Sequence, residues 1–351
     1  MSLFGSVKDH ILIGGVNAVS GWGLLVLLVF SGGVSYTQLK PGVDFGLFLL
    51  ALAGAALTGN GVYALNACYD VDADKINKPN RPLPSGRMTK EHALKYAYAL
   101  MASGLVVAVV ASLWGRNYLM IPLWSIFTVL GIAYSKPPFK LKARHIFGNL
   151  CFGTFCGLTF IIGRILSGIS ITMLDWFSSF LLTTLSVGGL ITMKDFQDYE
   201  GDKHNNDITL PVKVGRRNAA AVSIGLMILG WIILPDMLNY LINPQWRPST
   251  NILDYWELLT IIGSFAVYII LYSFERRDHT ISDSYSRVIY FYVILYVAYL
   301  FIRGAIFPKD LINSIIINNW DRYLSLAAYA TVATTIILRS WKTGLDIQKP
   351  T

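Results

Sequence analysis

Eight of the 21 acidic residues in this chain fall in two short stretches, Asp70, Asp72 and Asp74 in one and Asp195, Asp198, Glu200, Asp202 and Asp207 in the other. Asn66, Asp70 and Asp74 are spaced i, i+4, i+8. On a helix that spacing puts all three on one face, over about 12 Å of axis. Asp198 and Asp202 repeat the i, i+4 step, and Asp195, three residues before Asp198, belongs to the same face. A row of oxygen ligands suits a hard cation such as Mg²⁺, which takes carboxylates and shares the oxygens of a substrate phosphate. The candidate metal ligands are therefore Asn66, Asp70, Asp74, Asp195, Asp198 and Asp202. Of these, Asp70, Asp74, Asp198 and Asp202 are the candidate catalytic acids. Asp72 and Glu200 fall off the two faces.

The two rows read as copies. Asp70 and Asp198, Asp74 and Asp202, Lys75 and Lys203, and Asn77 and Asn205 are each 128 residues apart. Both stretches read Asp-x-x-x-Asp-Lys-x-Asn. This offset predicts an internal repeat of four helices and places the acid rows on the same side, facing each other across one cavity. The bland alternative is that acids at helix ends are simply solvated, but four shared offsets argue against it. Lys75, Lys78 and Arg81 follow the first row, and Lys194 and Lys203 flank the second. Cations bridging the oxygens of a diphosphate, with Lys and Arg taking its remaining charge, would use such a set.

The elements that must hold these rows are apolar. Residues of the hydrophobic set make up 54% of the 351-residue chain, charged residues 14%, and the mean hydropathy is +0.50. An ordinary soluble domain carries about 25% charged residues. A membrane-crossing helix needs about 20 mostly apolar residues. Candidate spans lie at 11–33, 45–67, 93–114, 117–135, 147–169, 173–193, 218–242, 255–274, 286–307 and 322–341. The last is the least apolar, so the expectation is an all-α polytopic membrane bundle of nine or ten helices. The short gap before 117–135 predicts a helical hairpin with the preceding span. The first span lacks a strong basic flank and a small-residue cleavage site, and is read as retained rather than as a signal peptide. With the N-terminus in the cytoplasm, about three-quarters of the 29 Lys and Arg residues lie on the cytoplasmic side, together with both acid rows. The net charge of +8 is thus read as a topology signal, and no nucleic-acid module accompanies it. Three cysteines cannot staple a chain of this length, and the five histidines show no metal-ligand spacing.

These residues resemble the UbiA superfamily of intramembrane prenyltransferases. The first motif, Asn66-Ala-Cys-Tyr-Asp70-Val-Asp-Ala-Asp74, continues into Asn77-Lys-Pro-Asn-Arg81-Pro-Leu-Pro-Ser-Gly86. The second, Lys194-Asp195-Phe-Gln-Asp198-Tyr-Glu-Gly-Asp202-Lys203, is followed by Thr209-Leu-Pro-Val212. Asn17, Tyr134 and Ser135 match family positions on the acceptor side. Ala67 stands where many members carry Asp, and Ile208 where many carry Lys or Arg. The resemblance implies one membrane domain over 1–351, with motifs at 66–86 and 194–212. A C-terminal extension over 308–351 would hold any tenth span.

The same resemblance implies Mg²⁺ as cofactor, a prenyl diphosphate and a lipid or aromatic acceptor as substrates, and an active site at the cytoplasmic face of a lipid membrane. The stretch Gly157–Gly163 and the tail of the second motif resemble archaeal digeranylgeranylglyceryl phosphate synthases, while 134–142 resembles the chlorophyll synthase branch. The expected acceptor is therefore an ether-lipid precursor, geranylgeranylglyceryl phosphate, with a quinone precursor or tetrapyrrole as alternatives. A transporter would carry its acids mid-span beside broken helices, and here they stand at span ends. A non-catalytic scaffold would not need two rows at one offset.

Overall fold

The computed structural model describes residues 6–14, 44–166 and most of 180–229. The described part is helical: α1 (Val7–Ile13), α2 (Phe45–Tyr69), α3 (Val71–Asn77), α4 (Lys90–Trp114), α5 (Met120–Ser135), α6 (Ile146–Leu166), α7 (Tyr199–His204), α8 (Leu210–Val214) and α9 (Arg216–Ile228). The described positions between 180 and 195 are helical too. Among the described residues three segments are long and apolar enough to cross a membrane, Leu49–Tyr69, Lys90–Trp114 and Ile146–Gly163, and α5 is a shorter apolar helix. The expected spans at 45–67, 93–114, 117–135 and 147–169 thus correspond to α2, α4, α5 and α6. The spans at 11–33, 173–193 and 218–242 lie partly outside the described residues. Those at 255–274, 286–307 and 322–341, the extension 308–351, and Asn17 lie wholly outside them.

Local sequence sets the ends of these helices. Thr89 caps α4 by accepting the His92 N–H, so α4 starts at Lys90, a turn earlier than its apolar run. The N–H of Gly115 closes the last turn of α4, and Arg116 takes a left-handed φ of 50°. The Ser112 hydroxyl and carbonyl both bond Asn117, which turns the chain into α5. This is the helical hairpin that the short gap requires.

Small residues set the packing. A Cβ at Gly61 would lie 2.6–2.9 Å from Met101 and the Ala97 carbonyl, and one at Gly104 would lie 2.1 Å from the Thr58 hydroxyl. Gly54 packs on Val107 and on the Trp124 ring, and Gly131 on Val62. These pairings run α4 antiparallel to α2 and α5 parallel to it. Glycine and alanine let apolar helices approach closely where no water is there to be expelled from between them. Trp124 also donates to the buried Thr58 hydroxyl at 2.9 Å. An edge-to-face series, Trp124–Phe127–Phe155, carries the core onto α6, where Tyr134 joins Phe155 at 5.9 Å. Gly153 lies against Thr184, and Gly188 against Asn149, so the helical positions at 180–195 run antiparallel to α6. With directions alternating in this way, the C-terminal end of α2, the end of α5, the start of α6 and Asp195 all meet at one end of the bundle.

Gly104→Ala is expected to lower stability by about 1–3 kcal/mol, because the new methyl must displace Thr58. Gly225→Ala, where nothing among the described residues lies within 4 Å, is expected to leave stability unchanged or raise it. Thermal unfolding in detergent checks both, and equal effects would refute the packing argument.

Candidate active site

Helix α2 stops one residue short of a continuous ladder. Asp70 takes φ −105°, ψ 9°, and the chain restarts as α3. The Asp70 N–H still reaches the Asn66 carbonyl at 3.0 Å, and the Asp74 N–H reaches that of Asp70 at 2.7 Å. The i, i+4, i+8 face therefore survives the break. Asp198, 128 residues on, takes φ −94°, ψ 2° ahead of α7, and the Asp202 N–H bonds its carbonyl at 2.9 Å. Asp70, Asp74 and Asp202 are only 9, 4 and 7% exposed.

Basic side chains stand between the rows. Lys78 Nζ touches carboxylate oxygens of both Asp198 and Asp74, the latter at 3.7 Å. One ammonium that pairs with both bounds their oxygens to within ~8 Å of each other. Arg81 Nη1 donates to Asp74 Oδ2 at 2.9 Å, and Nη2 to the Tyr63 hydroxyl at 2.8 Å. Burial opposes the Arg81 charge, but Tyr63, Asp74 and Asp198 outweigh it and raise the pKa above that of a free guanidinium. Asn66 Nδ2 donates to the fully buried Ser135 hydroxyl at 3.3 Å. From α6, Asn149 donates to Thr192 at 2.8 Å and to Asp195 at 3.4 Å. Tyr134 is buried among Phe152 and Phe155.

Two of the expected basic residues face elsewhere. Lys75 pairs with Asp72 at 2.8 Å on an exposed face, with the side chains 58 and 74% accessible. That pairing holds the Asp72 carboxyl below the usual range. Lys203 is likewise exposed. Each follows a row acid by one residue, and one residue is about 100° of helix. Lys194 lies outside the described residues.

A second basic group emerges from the segment between α5 and α6. Lys142 Nζ pairs with Asp70, and Lys140 Nζ with the buried Asp207. The His145 N–H bonds the Ile208 carbonyl at 2.8 Å, and Arg144 and Ile208 form an isolated parallel bridge. The segment is thus a strap tied to the tail of the second acid row, and it delivers Lys142 to the first. Helical spacing gives no sign of this, since the contact is tertiary. The run of three lysines at 136–142 is the signal that could have found it.

Among the described residues no three acidic, histidine or cysteine side chains converge as a closed metal cage would. The donors are oxygens in two facing rows. That set fits Mg²⁺, which keeps several waters and relies on substrate phosphates for the rest of its shell.

The sequence profile of the UbiA prenyltransferase family matches residues 25–292. The chain belongs to this family. It is a prenyltransferase-family enzyme and an integral, multi-pass membrane protein. The chain is 32% identical over 198 residues to the digeranylgeranylglyceryl phosphate synthase of Methanosphaera stadtmanae, covering 56% of this chain and 68% of that one. It is 30% identical over 207 residues to the chloroplastic chlorophyll synthase of Oryza sativa, covering 58% of this chain and 54% of that one. In fold it is similar to a UbiA homolog from Archaeoglobus fulgidus bound to GPP and Mg²⁺, with a TM-score of 0.59 at 19% identity, covering 84% of this chain and 98% of the other.

Breaking a buried ion pair by removing one partner costs about 3–5 kcal/mol. Lys142→Met is therefore expected to lower the thermal stability of the metal-free protein by several degrees, and adding Asp70→Asn should recover part of the loss. Strictly additive losses in the double variant would refute the pairing.

Proposed function

We propose that this enzyme transfers the prenyl group of a prenyl diphosphate to geranylgeranylglyceryl phosphate, forming an ether lipid. The observation that carries the reading is the pair of acid rows facing each other at one end of an apolar bundle, with Lys78, Arg81 and Lys142 between them. The likeness to a synthase named for the product of this transfer, digeranylgeranylglyceryl phosphate, supports the choice. A tetrapyrrole acceptor is the second reading, favoured by the likeness to the rice enzyme.

In this reading Asn66, Asp70, Asp74, Asp195, Asp198 and Asp202 hold Mg²⁺. When bound, Mg²⁺ neutralises charge on the departing diphosphate. Lys78, Arg81 and Lys142 exchange part of their contact with the carboxylates for the diphosphate oxygens. Lys194 belongs to the same set, whereas Lys75 and Lys203, which face solvent, fall outside it. The bond between the allylic carbon and the diphosphate oxygen breaks. The diphosphate leaves with the electron pair of that bond, the acceptor hydroxyl oxygen attacks the carbon to form the ether bond, and its proton passes to the released diphosphate. The apolar bundle keeps water from the electron-poor carbon. Asn17, Tyr134 and Ser135 are assigned to the acceptor side.

The full architecture in this reading is one domain of nine or ten spans, built on a four-helix repeat, with its active site at the cytoplasmic face. The shared backbone at Asp70 and Asp198 supports the repeat.

The test is incubation of the purified protein with Mg²⁺, geranylgeranyl diphosphate and either geranylgeranylglyceryl phosphate or chlorophyllide, read by mass spectrometry. The expected product is the ether lipid, lost on EDTA treatment. Asp74→Asn is expected to lower turnover by ~100-fold or more, as removal of a group that stabilises transition-state charge does elsewhere. Turnover that survives EDTA, or product from chlorophyllide alone, would overturn the mechanism or the acceptor respectively.

A further inference from the structure

An aspartate at the N-cap of a helix ordinarily accepts the backbone N–H of the second or third helical residue. Asp198 opens α7 without making that bond. The third N–H of α7 belongs to Gly201, and it donates instead to Oδ1 of Asn77, at 3.0 Å. Asn77 is the last residue of α3, in the other acid row. Its Nδ2 donates at 3.0 Å to the carbonyl of Asp198. One carboxamide therefore spans the start of α7, satisfying an N–H and a C=O that straddle the Asp198–Asp202 face.

We propose that Asn77 is a positioning residue, which caps α7 from the opposite row so that the Asp198 carboxylate faces the space between the rows rather than its own helix. The inference rests on the metal–diphosphate reading above. The close approach it needs is built in. A Cβ at Gly201 would lie 2.3 Å from Asn77 Nδ2 and 2.6 Å from the Ala73 carbonyl, so only glycine lets α3 and α7 meet there. The brace runs one way. Asn205, the counterpart of Asn77, donates instead to Asp207 at 3.1 Å. At this point one side chain ties the two rows together. That side chain contacts no reacting group, and it acts through Asp198.

The test uses the full-length protein in detergent, with Mn²⁺ as the probe and inorganic diphosphate present, and reads bound Mn²⁺ by electron paramagnetic resonance. Asn77→Ala is expected to raise the half-saturating Mn²⁺ concentration by about 10-fold or more, as loss of a group supporting metal ligands does elsewhere. The KM for prenyl diphosphate should rise with it while the KM for the acceptor does not. Asn77→Asp keeps an acceptor for the Gly201 N–H but loses the donor to the Asp198 carbonyl, and should recover only part of the affinity. Gly201→Ala should reproduce the loss. A reduced melting temperature with unchanged Mn²⁺ affinity in Asn77→Ala, or in Gly201→Ala if the former does not fold, overturns the proposal. If wild-type protein binds no Mn²⁺ that Asp74→Asn abolishes, the underlying metal reading fails, and this proposal with it.

Discussion

Repulsion between buried carboxylates is the constraint around which this molecule is arranged. Asp70, Asp74 and Asp202 are nearly sealed from water, and Asp198 is reached by the same ammonium as Asp74. Two unit charges 4 Å apart repel by about 4 kcal/mol at an effective dielectric of 20. Such a cluster persists only where cations offset it. In this structure Lys78 serves two acids, Arg81 one, and Lys142 another. These ion pairs offset the repulsion and hold the rows close.

The bundle supplies the other half of this arrangement. Its helices approach through Gly54, Gly61, Gly104 and Gly131, so their ends are fixed to within the tolerance of direct backbone contact. Alternating directions bring the ends of α2 and α5, the start of α6 and Asp195 to one place. Polar chemistry is concentrated there, and the opposite end turns through Gly115–Leu119. Trp114 and Tyr118 stand exposed at that turn, where amphipathic rings suit a membrane boundary. A large charge cluster is tolerable in an apolar protein only at such an end, where water and headgroups can reach its rim.

The acid rows were legible in the sequence because helical period fixes side-chain direction over a few residues. The same geometry separates Asp72 and Lys75 from Asp74. It also shows why two lysines that adjoin the rows in sequence turn away in space. The apolar runs at 45–67, 93–114, 117–135 and 147–169 were legible for a similar reason, since length and hydropathy are local properties. Lys142 and Asn77 were not assigned from sequence, because their partners are 72 and 121 residues away and depend on how the strap and the short helices dock. The break at Asp70 was also hidden. Nothing in the composition of Cys68–Tyr69–Asp70–Val71 forbids a straight helix.

That break has a consequence for the chemistry. A straight helix through Asp70 would carry Asp74 farther along the axis of α2, about 6 Å beyond Asp70. Restarting the helix at Val71 allows α3 to lean onto α7, where Ala73 meets Gly201. Asp198 takes similar dihedrals immediately ahead of α7. The meeting of Ala73 with Gly201 sets how closely α3 and α7 can pack. The approach of the two short helices is thus set by backbone contact between small residues together with the Asn77 carboxamide that bridges them, and the charges of the rows are accommodated within that frame.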